Sequence, residues 1–248
     1  MKTGTKIVIM TGMSLGILFL ILVWVCGSGV LPQIADDITS DLYYRKLADD
    51  ARKLVRITDV RTLTAIEPAK EDEVFSCWIR IEGTDIDYPV MQEDKSAKEF
   101  YLNHRPDGRA SRSGSLYIPY YDSAEKDNVI IYGHHMRNGT MFGGLNGYKD
   151  KNWARRHSKI ELTVNGNVRE YEVVAVIVQS LDDRDYRWEE KIVFEGAAEK
   201  KDYLDKVRKM SMTDMDVSPD INTGTRFITL VTCDYSVPDG RLVVVAIG

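Results

Sequence analysis

The chain has 248 residues, 44% of them hydrophobic and 29% charged, with a formal net charge of −5. Less one N-terminal apolar segment, that length leaves roughly 210–220 residues, enough for one large domain with its own core. The acidic balance speaks against a nucleic-acid partner, which selects a basic face. Three cysteines are too few for an outward-facing domain stapled by disulfides.

Lys2 and Lys6 precede an uncharged run from Ile7 to Cys26. Twenty helical residues span about 30 Å, the thickness of a bilayer core. A cleavable signal peptide would carry an apolar region of only about 7–15 residues and a small-residue cleavage site. The segment Gly27-Ser28-Gly29-Val30-Leu31-Pro32 has no A-x-A pattern, and Val25 stands where a lipoprotein signal needs a small residue. Residues 7–26 are therefore expected to be an uncleaved transmembrane anchor. Residues 1–6 would be cytoplasmic, and everything after residue 30 extracellular.

Residues 27–35 read as a short linker. From Asp36 to Ile57, Ile38, Leu42, Leu47 and Leu54 recur at helical spacing among charges, which predicts an amphipathic helix packed on the domain. A charged loop follows. Strands are then predicted at Cys77–Ile81 and Asp87–Met91 around a turn at Gly83, and at Ser115–Ile118 and Asn128–Tyr132. Short helices fit Met141–Tyr148 and Lys151–His157. Lys159–Val164 and Val168–Gln179 flank Asn165-Gly166-Asn167, a hairpin signal. Ala197–Met210 has helical composition. Phe227–Thr232 and Leu242–Ile247 are β-branched runs joined through Pro238, Asp239 and Gly240. About eight short strands with helices in the connections predict a mainly β fold, a closed or nearly closed barrel with peripheral helices.

Cys233 falls where the penultimate strand ends, and Arg241 where the last begins. His134 and His135 follow the strand Asn128–Tyr132 through Gly133, which permits a sharp exit. A thiol nucleophile must become thiolate during attack, and free cysteine has a pKa of about 8.5. Histidine is the natural group to protonate a leaving amine near neutral pH. An arginine fork can stabilise the oxyanion of a tetrahedral intermediate. Cys77, among Val74, Phe75, Trp78 and Ile79, reads as a buried strand residue. Asp234 could orient His134, but a turn-capping role is favoured because the connection needs turn formers. One cysteine and a His-His pair do not supply a zinc pattern, and the chain carries no P-loop or Rossmann glycine motif.

The segment T-L-V-T-C (229–233) resembles the T-L-x-T-C signature of sortases, and Y-G-H-H-M (132–136) resembles their histidine motif. In that motif the catalytic residue directly follows the glycine, so the resemblance selects His134 over His135. R-L-V-V-V (241–245) is similar to the strand that opens with the family's essential arginine. I-E-G-T-D-I-D-Y-P-V (81–90), E-F-Y-L-N (99–103), S-G-S-L-Y-I (113–118) and N-G-T-M-F after the histidines resemble class B members in particular. So do an N-terminal helix and a helix-bearing connection before the cysteine strand. The likeness runs over residues 36–247. Val231 departs from the serine that some class B relatives carry two residues before the cysteine.

This resemblance implies an eight-stranded sortase-type barrel in residues 36–248 and a membrane-anchored cysteine transpeptidase. Cys233 would attack a sorting signal of the N-P-x-T-N/G kind, His134 would serve as acid and then base, and Arg241 would steady the oxyanion or align substrate. Thr232 would help hold the substrate backbone. Expected partners are surface proteins bearing the signal, an amine of a peptidoglycan precursor (lipid II) and the membrane; no cofactor or metal is implied. Pilin polymerisation through a lysine acceptor, a purely hydrolytic cysteine peptidase and a catalytically silent tethered domain stay open as alternatives. The anchor makes a direct prediction: the full-length chain fractionates with membranes and keeps its N-terminus. A mature form beginning near residue 30 would contradict it.

Overall fold

In the computed structural model the described residues are 30–57, 75–182 and 186–248. The expected anchor and the cytoplasmic N-terminus lie outside them. No helix among the described residues is long and apolar enough to cross a membrane.

The described residues form eight strands: β1 (Phe75–Arg80), β2 (Asp87–Gln92), β3 (Leu116–Ile118), β4 (Asn128–Tyr132), β5 (Lys159–Val164), β6 (Asn167–Ser180), β7 (Phe227–Asp234) and β8 (Gly240–Ile247). They close into a barrel in the order β1-β2-β3-β4-β7-β8-β6-β5. The pairs β2/β3 and β4/β7 are parallel, and the other neighbours antiparallel. Helices α1 (Val30–Ile57), α2 (Lys151–Arg156) and α3 (Ala197–Met210) are peripheral.

The strands alternate because one face fills the barrel and the other lies under covering segments. Val129 and Ile131 of β4, Ile228 and Leu230 of β7, and Leu242, Val244 and Ala246 of β8 point inward. Ile130, Phe227, Val231, Val243 and Val245 point outward beneath Phe194, Tyr203, Leu204 and Val207. Both faces of β4, β7 and β8 are thus buried, which accounts for their unbroken apolar runs. The buried Lys200 of α3 ties the bases of two strands together. Its Nζ donates to the Thr225 carbonyl (2.6 Å), just before β7, and pairs with Asp127 (3.1 Å), just before β4.

Helix α1 differs from expectation in two ways. It is already helical at Val30, so part of the stretch read as a linker is helix. The packed face is only partly the predicted one: Leu47 packs on the core, but Ile38 is 54% and Leu42 60% exposed, whereas Ser40, Tyr44, Ala48 and Ala51 are buried. Small residues bring the helix close to Trp78. Tyr44 Oη donates to the Gly114 carbonyl (2.6 Å), and Ser40 Oγ lies 2.8 Å from Ser111 Oγ. The helix is docked by Tyr44 and Leu47, by polar anchors and by the close approach of its alanines, and not by Ile38 and Leu42.

Gly133, where the chain leaves β4, is required by packing. A Cβ there would collide with Leu116 and come within 2.8 Å of Phe142 Cδ2. Gly133→Ala is expected to cost roughly 1–3 kcal/mol by overpacking. The expected readout is a melting temperature several degrees lower; an unchanged melting curve would contradict this reading.

Candidate active site

Cys233 and Arg241 are direct cross-strand partners in the β7/β8 ladder. Directly opposed residues of an antiparallel pair share a face, with Cβ atoms about 4.5–5.5 Å apart. That face is the outer one, since Val231 and Val243 precede and follow these positions in the outer cluster. Cys233 is a half-buried free thiol. Cys77, by contrast, is buried on β1, where desolvation pushes its thiol well above the ordinary range.

The parallel β4/β7 register pairs Tyr132 with Val231, and Gly133 N donates to the Val231 carbonyl (3.2 Å). The paired register ends at Tyr132, and His134 follows two residues on, in a turn held to β7 by Gly133 N and by the Thr232 hydroxyl. Since Gly133 faces Leu116 and Phe142 in the core, His134 faces outward, as Tyr132 does. The ladder thus brings the three sequence-predicted residues, His134, Cys233 and Arg241, to one edge of one face.

Each is fixed by a hydrogen bond. His134 Nε2 donates to the Leu102 carbonyl (2.8 Å). A carbonyl can only accept, so Nε2 keeps its proton, and Nδ1 is the nitrogen able to take or give one. His135 Nδ1 donates to the Cys233 carbonyl (2.8 Å), a brace on the nucleophile's backbone rather than on its sulfur. Arg241 Nη1 donates to the Gly240 carbonyl (2.8 Å), so its fork is folded back along its own strand. Below the histidines, the 3₁₀ segment Phe142–Lys149 plugs the barrel end with Phe142, Leu145 and Tyr148, and Phe142 N donates to the His134 carbonyl (3.0 Å).

Thr232 alternates to the inner side of β7, is buried, and its Oγ1 donates to the Gly133 carbonyl (2.8 Å). The hydroxyl joins the cysteine strand to the histidine turn. Asp234 bonds to groups other than His134. Its Oδ1 accepts from Ser236 N (2.8 Å) as a turn cap, and Oδ2 forms an ion pair with Lys149.

Lys149 and Leu102 were missed by sequence reasoning. Lys149 reads as one more solvated charge, and Leu102 acts through its carbonyl, which no residue type advertises. An aromatic wall next to the site also emerges from the fold. Tyr132 Oη accepts from Trp188 Nε1 (2.8 Å), lies 3.1 Å from Tyr121 Oη, and its ring stacks on Tyr117 at 5.6 Å. Among the described residues, no three of His, Cys, Asp and Glu form a metal-binding group.

The chain is similar to known proteins. A family model for the sortase domain matches residues 79–247. Sortase B of Listeria monocytogenes is 32% identical over 67% of this chain and 66% of its own length, just under two thirds. Sortase B of Staphylococcus aureus is 27% identical over 93% of each chain. A structure of a Staphylococcus aureus sortase B-substrate complex superimposes with a TM-score of 0.70 at 27% identity, covering 86% of this chain and 97% of that one. The chain belongs to the sortase family, and these relatives are its class B members.

The Asp234–Lys149 pair sets a pH dependence. Burial raises the carboxyl's pKa, but hydrogen bonds from Lys149 and Ser236 outweigh it, and the pKa lies below the ordinary value. A native pKa below the unfolded one means that ionised Asp234 favours the fold. The contribution is complete above the unfolded value of ~3.9 and is lost as pH falls through the native value. Asp234→Asn is expected to destabilise the protein by about 1–3 kcal/mol at pH 7. Melting curves of variant and wild type should draw together as pH falls below the ordinary carboxylate range; a gap that stays constant into acid would contradict the assignment.

Proposed function

We propose that the chain is a cysteine transpeptidase that cleaves a C-terminal sorting signal and transfers the acyl group to an amine. The pairing of Cys233 with Arg241, with His134 just beyond the end of β4 that runs parallel to β7, is the observation that supports this reading. Cys233 Sγ attacks the carbonyl carbon of the scissile peptide bond, and the Arg241 guanidinium steadies the oxygen as it becomes an oxyanion. His134, charged at Nδ1, gives its proton to the departing amine, and a thioester to Cys233 remains. The neutral imidazole then takes a proton from the incoming amine as it attacks the thioester, and the thiolate leaves.

A signal of the N-P-x-T-N/G kind and a peptidoglycan-precursor amine are the proposed substrates. The support is the family's class B character, together with the substrate-complexed relative. A membrane anchor at residues 7–26 would hold the domain at the outer face of a Gram-positive cell membrane. Thr232 and His135 are positioning residues here: the first locks strand to turn, the second braces the nucleophile's carbonyl.

The test is cleavage of a quenched fluorescent N-P-x-T-N/G peptide, with ligation to an added amine followed in parallel. Cys233→Ala is expected to abolish both. His134→Ala should lower kcat/KM by about 10²–10⁴-fold, the range of a lost general acid–base. Arg241→Lys should cost about 10²–10³-fold, because a point charge cannot replace a planar fork. His135→Ala should cost less than about tenfold, as a change in support rather than chemistry. An essential His135 with a dispensable His134 would overturn the assignment, and cleavage without ligation would make the chain a peptidase.

A further inference from the structure

The row that holds Cys233 and Arg241 does not stop at β8. Gln179 of β6 is the direct partner of Arg241 on its other side, so Gln179, Arg241 and Cys233 stand in line across three adjacent strands on one face. Gln179 shares that face with Ile177 of the outer cluster. It is only 8% exposed, and its orientation is set: Nε2 donates to the Tyr186 carbonyl (2.7 Å), so the amide cannot be reversed without losing that bond. Its other end, Oε1, is a buried acceptor with no hydrogen-bond partner among the described residues.

An orphaned buried acceptor is costly, and most buried polar atoms find a partner. Arg241 offers the matching donors. Its fork has five N–H groups, and among the described residues only Nη1 is engaged, with the Gly240 carbonyl and, at 3.4 Å, that of Asp239. Both of those carbonyls lie on its own chain segment.

We infer that Gln179 is a positioning residue for Arg241: Oε1 accepts a hydrogen bond from the guanidinium when the side chain unfolds from the Gly240 carbonyl and swings over the Cys233 face. The fork is then held from one side, with its remaining N–H groups free for the substrate oxygen. Gln179 touches neither substrate nor the sulfur. It supplies the fixed acceptor that a lone arginine, carrying much side-chain freedom, needs in order to be oriented at the moment of acyl transfer. This rests on the proposed transpeptidase reading, in which Arg241 acts on the oxyanion.

Three variants separate this role from a structural one. Gln179→Met removes donor and acceptor at similar volume. Gln179→Glu keeps an acceptor for Arg241 but sets a carboxylate against the Tyr186 carbonyl. Arg241→Ala removes the group that Gln179 is held to orient. With the wild type cleaving the fluorescent peptide, Gln179→Met is expected to lower kcat on the order of 10–100-fold with KM nearly unchanged. Gln179→Glu should recover most of that kcat despite a lower melting temperature. In the Arg241→Ala background, Gln179→Met should cost nothing further.

Gln179→Glu falling as far as Gln179→Met, or equal losses with and without Arg241, would assign Gln179 to holding the Tyr186 segment and overturn the pairing. An unchanged kcat in Gln179→Met would overturn it as well. A wild-type chain that cleaves no such peptide would instead defeat the proposed function, and the pairing with it.

Discussion

The antiparallel register of β7 against β8 is the constraint on which the site depends. Side chains on a strand alternate with a period of two, so a slip of one residue would turn Cys233 inward and leave Arg241 outside. The register is held by burial on both faces. Leu230 and Leu242 belong to the barrel interior, while Val231 and Val243 belong to the outer cluster, so neither set can exchange places. The bond from the Thr232 hydroxyl to the Gly133 carbonyl adds a side-chain lock from the cysteine strand to the histidine turn. At the far end, Lys200 gathers the approaches to β4 and β7. Chemistry at one rim is therefore set by packing along the whole length of three strands.

A division of labour between faces follows. The inward residues next to the nucleophile, Thr232 and Asp234, are consumed by structure: one bonds the neighbouring turn, the other caps its own turn and meets Lys149. The outward residues, Cys233, Arg241 and His134, keep reactive atoms available. The two adjacent histidines divide in the same way. His135 braces the Cys233 carbonyl, while His134 is held at Nε2 and left with Nδ1 for proton transfer. Each gives one ring nitrogen to a carbonyl and keeps the other, so the choice of His134 in the proposed reaction rests on the resemblance of its motif.

Much of this was legible in the residues. Asn128–Tyr132, Lys159–Val164 and Ala197–Met210 occupy the spans that their patterns predict, because alternating or continuous apolar runs are bounded there by glycine, asparagine or charge. The strand β7 runs two residues longer than its apolar run suggests. Cys233 and Asp234 still pair with β8 although neither looks like a strand former. The docked face of α1 was legible only at Leu47, because hydrophobic periodicity weighs bulk, and here alanines, a serine and a tyrosine make much of the contact. Nor were the contacts of Leu102, Lys149 and Gln179, which join segments far apart in the chain through a carbonyl, an ion pair and a strand order. The placement of β6 between β5 and β8 is a property of barrel closure, and it is what brings Gln179 next to Arg241.

The central claim is that the sulfur of Cys233, held in this row, forms the covalent intermediate. The most direct measurement is mass spectrometry of the protein quenched during turnover of a sorting-signal peptide, followed by proteolytic mapping. The account predicts a thioester-linked adduct, equal in mass to the acyl half of the peptide, on the fragment containing Cys233. It should be released by an added amine and absent from the fragment containing Cys77. Turnover without any adduct, or an adduct on another residue, would contradict it.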